Sequence, residues 1–398
     1  MTSPKVLHVT TVHPPFDNRI FGMEARSLAA AGYDVTLATT VSEGGMHDGV
    51  RLLPLGEMSD VSRRGERIGR NVRALLAMRG SYDIVHIHDP ELLVTAAIVQ
   101  RVFERRIVYD VHEFYDEKFG GGDVTADWIP RRLLGFVRSA YRGMEAAVLP
   151  RAGGVVVVSE AMVERYRRYL ADDRIALVQN YPNLTPADVI AARRAAPPLD
   201  APYVLHTGGA SRNRAFEVMV ATAEALRRRG VSAPVINLGP VQLESYSDEE
   251  RSTLLTRARA ADVQNLGSVS HEETLRWIAH AAVGYLPIAD NENNRRGQPR
   301  KLFEYFLFGL PVVASDVGRI GSTVRERNAG VTVEAYEPES HASALAGLLN
   351  DPYRYARFSA NAQAAASGLS FSSQLPRLIA LYERILQTKP QRAVASAA

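Results

Sequence analysis

The sequence predicts an α/β protein built from two doubly wound parallel sheets, on three observations. Short runs rich in Val, Ile and Leu alternate with longer amphipathic stretches, which is the pattern of units that alternate strand and helix. The alternation occurs twice, on either side of residues 180–202, where proline, alanine and charge replace periodic apolar residues. The length of 398 residues exceeds one ordinary core and fits two or three domains of about 100–200 residues each.

Each half contains its own series of strand candidates. In the first half they are residues 5–12, 34–40, 50–55, 83–88, 106–111, 154–159 and 175–179. In the second half they are residues 203–207, 234–238, 263–266, 283–288, 311–315 and 330–333. Pro299, Gly309 and Pro311 bracket a short helix at about 300–308, and an apolar stripe predicts a last helix over 374–387.

The chain is therefore divided into an N-terminal Rossmann-like domain, residues 1–185, and a C-terminal one, residues 186–370. A helix over residues 371–388 is expected to pack back towards the N-terminal domain, and residues 389–398 to form a flexible tail. Sheets of this kind carry their functional loops at the carboxyl ends of the strands, and a ligand bound between two facing domains would be touched by both.

The composition excludes several classes of protein. A chain that is 46% hydrophobic and 23% charged is typical of soluble globular proteins, and a net charge of +3 does not require nucleic acid as a partner. With no cysteine, disulfides, thiolate ligands and a Cys nucleophile are excluded. Neither a signal-peptide pattern nor an apolar run long enough to cross a bilayer is found, so a cytoplasmic location is expected.

A single carboxylate, Glu304, stands in an otherwise apolar helical segment, where a charge needs a partner. One interpretation is an ion pair with Lys301, three residues earlier. The other is that Glu304 accepts hydrogen bonds from a vicinal diol such as a nucleotide ribose, while Lys301 and the first helical turn face phosphate.

The loop at 206–217 follows the first strand of the second half and combines two glycines with two arginines. Glycines let a backbone approach a ligand closely, and a guanidinium binds phosphate through two hydrogen bonds. The alternative is a pair of solvated surface arginines. The loop lacks the G-x-G-x-x-G pattern, which argues against a nicotinamide or flavin enzyme.

These segments resemble glycosyltransferase family 4, the glycosyl transferases group 1, among the retaining glycosyltransferases of GT-B fold. The donor motif of that family is matched by Pro299, Lys301 and the run Phe303 to Tyr305, followed by residues 309–316. Similar segments lie at residues 8–21, 31–37, 83–93, 109–115, 155–162 and 177–183, so the resemblance extends from about residue 5 to about residue 385.

The resemblance implies two Rossmann-like domains facing each other across a cleft, with the donor bound by the C-terminal domain and the acceptor mostly by the N-terminal one. The implied reaction moves a sugar from a nucleotide-diphosphate sugar to a glycan, lipid-linked or small-molecule acceptor, as in glycoconjugate, polysaccharide or natural-product biosynthesis. Attack is expected on the same face as the leaving group, with a diphosphate oxygen as base. No D-x-D motif occurs and the histidines are not clustered at ligand spacing, so neither a metal nor another cofactor is expected.

Candidate site residues follow from matching the motifs. The catalytic candidates are His112, Arg214 and Lys301. The donor-binding candidates are Gly208, Gly209, Arg212, Val269, Gly297, Gln298 and Glu304. The acceptor-side candidates are His13, Asn18, Arg19, His88, Asp89 and Glu113.

The resemblance assigns His112 to the donor sugar and Arg214 and Lys301 to the departing diphosphate. The chain departs from the family at two positions. Gly209 stands where an arginine is usual, which makes Arg212 the substitute, and Arg296 stands where a second glutamate is usual. Glu292 or the amides near Gly297 and Gln298 are the candidates to replace that glutamate.

Two other functions are alternatives to sugar transfer. A nucleotide-sugar epimerase would need carboxylates such as Glu113, Asp116 or Glu117, and a scaffold would bind a nucleotide sugar without catalysis. The arginine-rich stretches 62–80 and 130–143 have apolar residues at helical spacing, so each is either a face for an anionic membrane or lipid-linked acceptor, or a solvated helix face.

Overall fold

The protein is described by a computed structural model over residues 3–55, 81–103, 106–115, 131–297 and 300–387. The chain divides into two compact units: Met1–Asn183 with Phe371–Ala398, here the N-terminal unit, and Leu184–Ser370, the C-terminal unit. The stretch 62–80, the candidates Asp116, Glu117 and Gln298, and the tail 389–398 lie outside the described residues.

The sheet of the N-terminal unit has the strand order β3-β4-β2-β1-β5-β6-β7-β8 in the described part of the chain. Its strands are β1 Lys5–Val9, β2 Asp34–Thr39, β3 Gly45–His47, β4 Val50–Pro54, β5 Ile84–Ile87, β6 Ile107–Val111, β7 Gly154–Val157 and β8 Ile175–Leu177. Among the strands of the described residues, only β3 runs antiparallel to its neighbour, and the chain order reverses between β1 and β5. A doubly wound sheet places its functional groups beside that reversal.

The sheet of the C-terminal unit has the order β11-β10-β9-β12-β13-β14 and is parallel throughout. Its strands are β9 Val204–Thr207, β10 Val235–Leu238, β11 Val263–Gly267, β12 Val283–Leu286, β13 Val312–Ser315 and β14 Gly330–Val333. Here the order reverses between β9 and β12. The two sheets confirm the predicted α/β class with two Rossmann-like units.

Helices connect the strands in both units. In the N-terminal unit they are α1 Arg26–Ala30, α2 Leu92–Phe103, α3 Leu134–Val148 and α4 Glu160–Tyr166. In the C-terminal unit they are α5 Pro186–Arg194, α6 Phe216–Arg228, α7 Asp248–Ala260, α8 His271–His280, α9 Glu292–Arg296, α10 Arg300–Leu307, α11 Gly318–Glu326, α12 Pro338–Asn350 and α13 Pro352–Ala366. The last helix, α14 Phe371–Gln387, belongs to the N-terminal unit, where Phe371, Leu378 and Tyr382 join the core beneath the sheet.

Most strands are buried along their whole length, which explains why they read as continuous apolar runs. Against this background a few strand residues are polar and yet fully buried, among them His8, His86, Asp110 and His206. Buried polar groups need partners, so these positions point to the two polar sites described below.

Three sequence predictions differ from the structure. The first strand ends at Val9 instead of residue 12, because Thr10 and Thr11 turn to hydrogen-bond a side chain. The edge strand β3 was missed, since Gly45–His47 has no apolar alternation. The segment 180–202 contains α5, which begins with a capping box between Thr185 and Asp188.

Among the described residues, no helix is both long enough and apolar enough to cross a membrane.

Candidate functional site

In the C-terminal unit, the loop after β9 brings Gly208 against Lys301. Gly208 has a φ of +111°, a conformation that residues with a Cβ rarely adopt, and a Cβ there would lie 3.0 Å from Lys301 Nζ. A Cβ on Gly239, at the end of β10, would overlap the carbonyl group of Gly208. The glycines therefore let the loop backbone and the lysine ammonium pack together at the carboxyl edge of the sheet.

Lys301 lies in the first turn of α10 and reaches back to β9, where its Nζ lies 3.3 Å from Nε2 of His206. The Nδ1 of His206 lies 3.0 Å from the carbonyl oxygen of Tyr285, so it carries the hydrogen and Nε2 accepts from Lys301. Burial lowers the pKa of Lys301 well below its usual value, and the charge of Arg214 lowers it further. Two cationic side chains therefore meet beside the glycine loop.

Tyr305 fixes this arrangement. Its hydroxyl accepts a hydrogen bond from the backbone N–H of Thr207 (2.9 Å) and donates to the carbonyl oxygen of Leu205 (3.2 Å). The face of α10 that carries Lys301 is thereby joined to β9. Tyr305 and Phe308 are both buried.

Glu304 is only 4% exposed, and its Oε1 lies 2.9 Å from Nε of Arg300. The sequence alternative that paired Glu304 with Lys301 is therefore wrong about the partner. The reason is geometric: residues four apart lie on one face of a helix, and Lys301 points to the sheet instead. Glu304 remains close enough to Lys301 for its charge to oppose the lowering of the pKa of that lysine.

The two arginines of the loop differ in their surroundings. Arg214 is half-buried and close enough to lower the pKa of both Lys301 and His206, after the larger effect of burial. Arg212 is exposed and lies over the ring of Tyr246 at 4.1 Å, facing carboxylates of α6 and α7. The structure brings Arg214 to the site, and the contacts of Arg212 match a solvated surface arginine.

The remaining donor-side candidates lie around this loop. Val269 is half-buried between β11 and α8, and Gly297 lies at the end of α9. Arg296, which stands where the family has a second glutamate, pairs with Glu292 at 2.5 Å. Glu292 therefore already has a partner in this structure.

In the N-terminal unit, the neighbouring strands β1, β5 and β6 bring four histidines together: His8, His86, His88 and His112, here the histidine cluster. The prediction that the histidines are not clustered is therefore wrong in three dimensions, because parallel neighbours bring distant residues to one edge. The Oδ2 of Asp110 lies 3.1 Å from Nε2 of His112 and 3.3 Å from Nδ1 of His88. Asp110 was not predicted, although a charge in the apolar strand IVYDV was the available signal.

Arg19 holds Asp110 through two hydrogen bonds, Nε to Oδ2 at 3.1 Å and Nη2 to Oδ1 at 3.0 Å. It lies in the π-helical segment Asn18–Ala25, whose first N–H groups are capped by Asp17. Arg19 is 6% exposed and also donates to the carbonyl oxygen of Val178. Burial alone would raise the pKa of Asp110, but the charge of Arg19 and the contacts with His112 and His88 together outweigh burial and hold that pKa well below its usual value.

His13 and Asp89 form a second pair beside the cluster, with Nδ1 and Oδ1 2.9 Å apart. Asp89 Oδ2 also accepts from Thr10 Oγ1 (2.9 Å) and from the N–H of Thr11 (2.5 Å). Burial alone would lower the pKa of His13 and raise that of Asp89. Their mutual hydrogen bond and charge outweigh burial, so the pKa of His13 is raised and that of Asp89 is lowered.

Of the acceptor-side candidates, His13, His88 and Asp89 therefore meet around His112, and the rings of His13 and His112 lie 5.0 Å apart. Asn18 and Glu113 are exposed. Arg19 is buried beneath the cluster, where it holds Asp110.

Two family descriptions match the chain. The glycosyl transferase 4-like domain matches residues 18–181, and the glycosyl transferases group 1 domain matches residues 201–351. A D-inositol 3-phosphate glycosyltransferase from Thermobispora bispora is 31% identical over 78% of this chain and 73% of its own. Another from Catenulispora acidiphila is 25% identical over 85% of this chain and 81% of its own.

Solved structures show the same fold. Sucrose-phosphate synthase from Thermosynechococcus elongatus has a TM-score of 0.70 at 18% identity, covering 96% of this chain and 99% of its own. HepE of Anabaena, solved in complex with UDP, has a TM-score of 0.62 at 16% identity, covering 94% of this chain and 98% of its own. The chain belongs to the group 1 glycosyltransferases of family 4, with the GT-B fold, and is an enzyme that transfers a sugar from a nucleotide-diphosphate sugar to an acceptor.

Proposed function

We propose that the diphosphate of the donor binds between Lys301 and Arg214, over the backbone of Gly208. The observation that carries this proposal is the half-buried ammonium of Lys301, which has no carboxylate within ion-pair distance among the described residues. Removing an ammonium from water is unfavourable unless an opposite charge compensates it. A diphosphate supplies that charge, and the positive end of the α10 dipole favours an anion in the same place.

The donor nucleoside then lies along the same edge of the C-terminal unit. The buried carboxylate of Glu304 accepts hydrogen bonds from the two ribose hydroxyls. These hydrogen bonds replace part of the ion pair that Glu304 makes with Arg300 in the free protein. The backbone of Gly209 and Gly297 and the loop of Val269 are the candidates for the remaining nucleotide contacts. UDP is the first nucleotide to test, because HepE of Anabaena was solved with it.

The transfer proceeds with retention and without a metal ion in this proposal. The acceptor oxygen bonds to the anomeric carbon on the face that the diphosphate leaves, the bond to the diphosphate oxygen breaks, and the hydroxyl proton passes to that oxygen. Negative charge grows on the diphosphate, so cations that are already in place lower the barrier most. Lys301 and Arg214 do that work here.

The N-terminal unit contributes the acceptor side, with His112 as the candidate for contact with the donor sugar. His13 and Asp89 beside it offer a charged pair for acceptor hydroxyl or phosphate groups. The relatives are D-inositol 3-phosphate glycosyltransferases, so inositol phosphates are the first acceptors to test.

Peripheral membrane contact is proposed for the start of α3. Phe136 is 73% exposed and Leu133 is 45% exposed, and the exposed Arg132 lies beside them. Apolar side chains next to cations suit an anionic lipid surface. Phe136→Ser should reduce sedimentation with phosphatidylglycerol vesicles, and equal sedimentation of both proteins would leave this stretch as a solvated helix face.

The decisive experiment incubates the protein with a panel of nucleotide sugars, with and without inositol phosphate. Thermal stabilisation, released nucleoside diphosphate and the anomeric configuration of the product by NMR are read out, with and without EDTA. We expect one donor to stabilise the protein and to yield a retained glycoside at an EDTA-independent rate. A new sugar nucleotide formed from donor alone would indicate an epimerase, and an inverted product or a rate lost in EDTA would refute the proposed chemistry.

A further inference from the structure

We infer that Asp110 is a positioning residue that holds His112 as the tautomer with its hydrogen on Nε2 and leaves Nδ1 as the free acceptor. The inference rests on the proposed function, in which His112 contacts the donor sugar, and it specifies which kind of group on that sugar the imidazole binds. The residues that carry it all lie in the N-terminal unit.

The first step is the contact between His112 and Asp110. The Nε2 of His112 lies 3.1 Å from Oδ2 of Asp110, and Arg19 keeps that carboxylate charged through two hydrogen bonds. A nitrogen lone pair at this distance would be repelled by the carboxylate oxygen, whereas an N–H is attracted to it. Nε2 therefore carries the hydrogen, and the neutral ring has its lone pair on Nδ1.

The second step is that the neighbouring rings accept the same assignment. The Nδ1 of His88 lies 3.3 Å from Asp110 and likewise donates, which leaves its Nε2 to accept from Nδ1 of His8 at 2.9 Å. The Nε2 of His8 lies 3.5 Å from the hydroxyl of Tyr382, and that hydroxyl lies 2.6 Å from Nδ1 of His86. Each contact from Asp110 through His88, His8 and Tyr382 to His86 then joins one donor to one acceptor. Nδ1 of His88 and Nε2 of His112, which lie 3.3 Å apart, both donate to Oδ2 of Asp110.

The buried rings must be neutral for this arrangement, and their surroundings agree. Burial, followed by the proximity of His88, lowers the pKa of both His8 and His86 well below the usual value. Each neutral imidazole carries one ring hydrogen, so the hydrogen bond to Asp110 also determines which nitrogen donates in each ring that follows. The carboxylate of Asp110 therefore determines which ring nitrogens of the histidine cluster donate and which accept.

A divalent cation is the other occupant that this geometry allows. The atoms Nδ1 of His88, Oδ2 of Asp110 and Nε2 of His112 lie 3.1 to 3.3 Å from one another and could surround a metal ion. Arg19 already pairs with Asp110, however, and its Nη2 lies 3.0 Å from Oε1 of Glu24, whose pKa is raised well above its usual value by burial and by the charge of Asp110. A divalent ion bound here would add positive charge beside the buried guanidinium, which is costly.

The consequence concerns specificity. No hydrogen bond to Nδ1 of His112 is found within the described part of the chain, so this nitrogen is available to a ligand. A bare lone pair accepts from a hydroxyl and repels a phosphate oxygen. His112 is therefore expected to bind a sugar hydroxyl as acceptor, and the diphosphate is left to the cations of the C-terminal unit.

The direct test is long-range ¹H–¹⁵N NMR of the full chain labelled with ¹⁵N-histidine, without any donor and after treatment with a chelator. The signals of His112 are assigned by their loss in His112→Gln. We expect an unprotonated Nδ1 and a protonated Nε2 of His112 in the wild type at pH 8. The reverse tautomer would overturn the inference, as would one equivalent of zinc that binds the wild type and not Asp110→Asn.

The functional arm compares Asp110→Asn with Asp34→Asn, a control at an exposed carboxylate at the start of β2. We expect Asp110→Asn to lower kcat by about 10²-fold, the effect of a misplaced catalytic contact, while stabilisation by nucleoside diphosphate stays unchanged. An unchanged kcat would overturn the positioning role. The NMR measurement on the wild type decides the tautomer even if Asp110→Asn fails to fold or the proposed donor is wrong.

Discussion

Replacing Lys301 with methionine separates the contribution of the ammonium to catalysis from its effect on the stability of the free protein. Methionine has nearly the same length and keeps the packing against Gly208, but it removes the ammonium that lies 3.3 Å from His206. Two unit charges about 4 Å apart at an effective dielectric of about 20 interact by roughly 4 kcal/mol. Loss of one group that stabilises a developing anion lowers kcat by about 10² to 10³, or about 2.7–4 kcal/mol. We therefore expect a kcat reduced by two to three powers of ten.

The same variant should be at least as stable as the wild type without ligand. Burial lowers the pKa of Lys301, so the folded protein holds its charged form at a disadvantage. That disadvantage is complete below the folded-state pKa and disappears as the pH rises to the value of an unfolded lysine, about 10.4. The gap in melting temperature between Lys301→Met and the wild type should therefore narrow as the pH rises from 7 to 10.

The assay measures release of nucleoside diphosphate at saturating donor and acceptor, alongside thermal melts of the free proteins. Lys5→Met is the matched control, because Lys5 is an exposed lysine at the start of β1. The control should retain wild-type kcat. A kcat within threefold of wild type in Lys301→Met, or a large loss of its stability at pH 7, would refute the reasoning.

Three further predictions follow from the two sites. Glu304→Ala should abolish thermal stabilisation by nucleoside diphosphate, worth about 2.7 kcal/mol at a hundredfold excess over Kd, and an unchanged shift would make Glu304 a structural partner only. Gly208→Ala and Gly230→Ala should each lose about 1–2 kcal/mol, because both positions have positive φ. Only Gly208→Ala should also weaken nucleotide binding, since no atom lies within 4 Å of a Cβ at Gly230. His13→Gln should lower the melting temperature more at pH 5.5 than at pH 8.5. The raised pKa of His13 contributes stability below about pH 6.5, and the lowered pKa of Asp89 contributes it above about pH 3.9. Equal losses at both pH values would contradict that ion pair.

The positions of the strands and of the helix with the donor motif could be predicted from apolar periodicity and from motifs. Thirteen strand candidates were proposed in two series, and the strands from β1 to β14 overlap them except for β3. The helix at 300–308 was predicted from its bracketing prolines and glycine and is observed at Arg300–Leu307. The capping box of Thr185 and Asp188 is the sequence signal for the helix inside the boundary segment 180–202.

The contacts between side chains could not be predicted from the sequence, because they depend on which strands are neighbours in the sheet. His8 lies in β1, His88 follows β5 and Asp110 lies in β6; these strands are far apart in the chain, and only the sheet order places them side by side. The partner of Glu304 depended on where the side chain of Lys301 turns, which the contact with His206 decides. The rule that found Glu304, a charge in an apolar element, would also have found Asp110.

A crystal structure of the protein with a nucleoside diphosphate tests the central claim most directly. The account predicts phosphate oxygens within hydrogen-bond distance, about 2.7–3.2 Å, of both Lys301 Nζ and the guanidinium of Arg214, with the ribose hydroxyls on Glu304. A nucleotide bound elsewhere, with Glu304 contacting Arg300 alone, would contradict it.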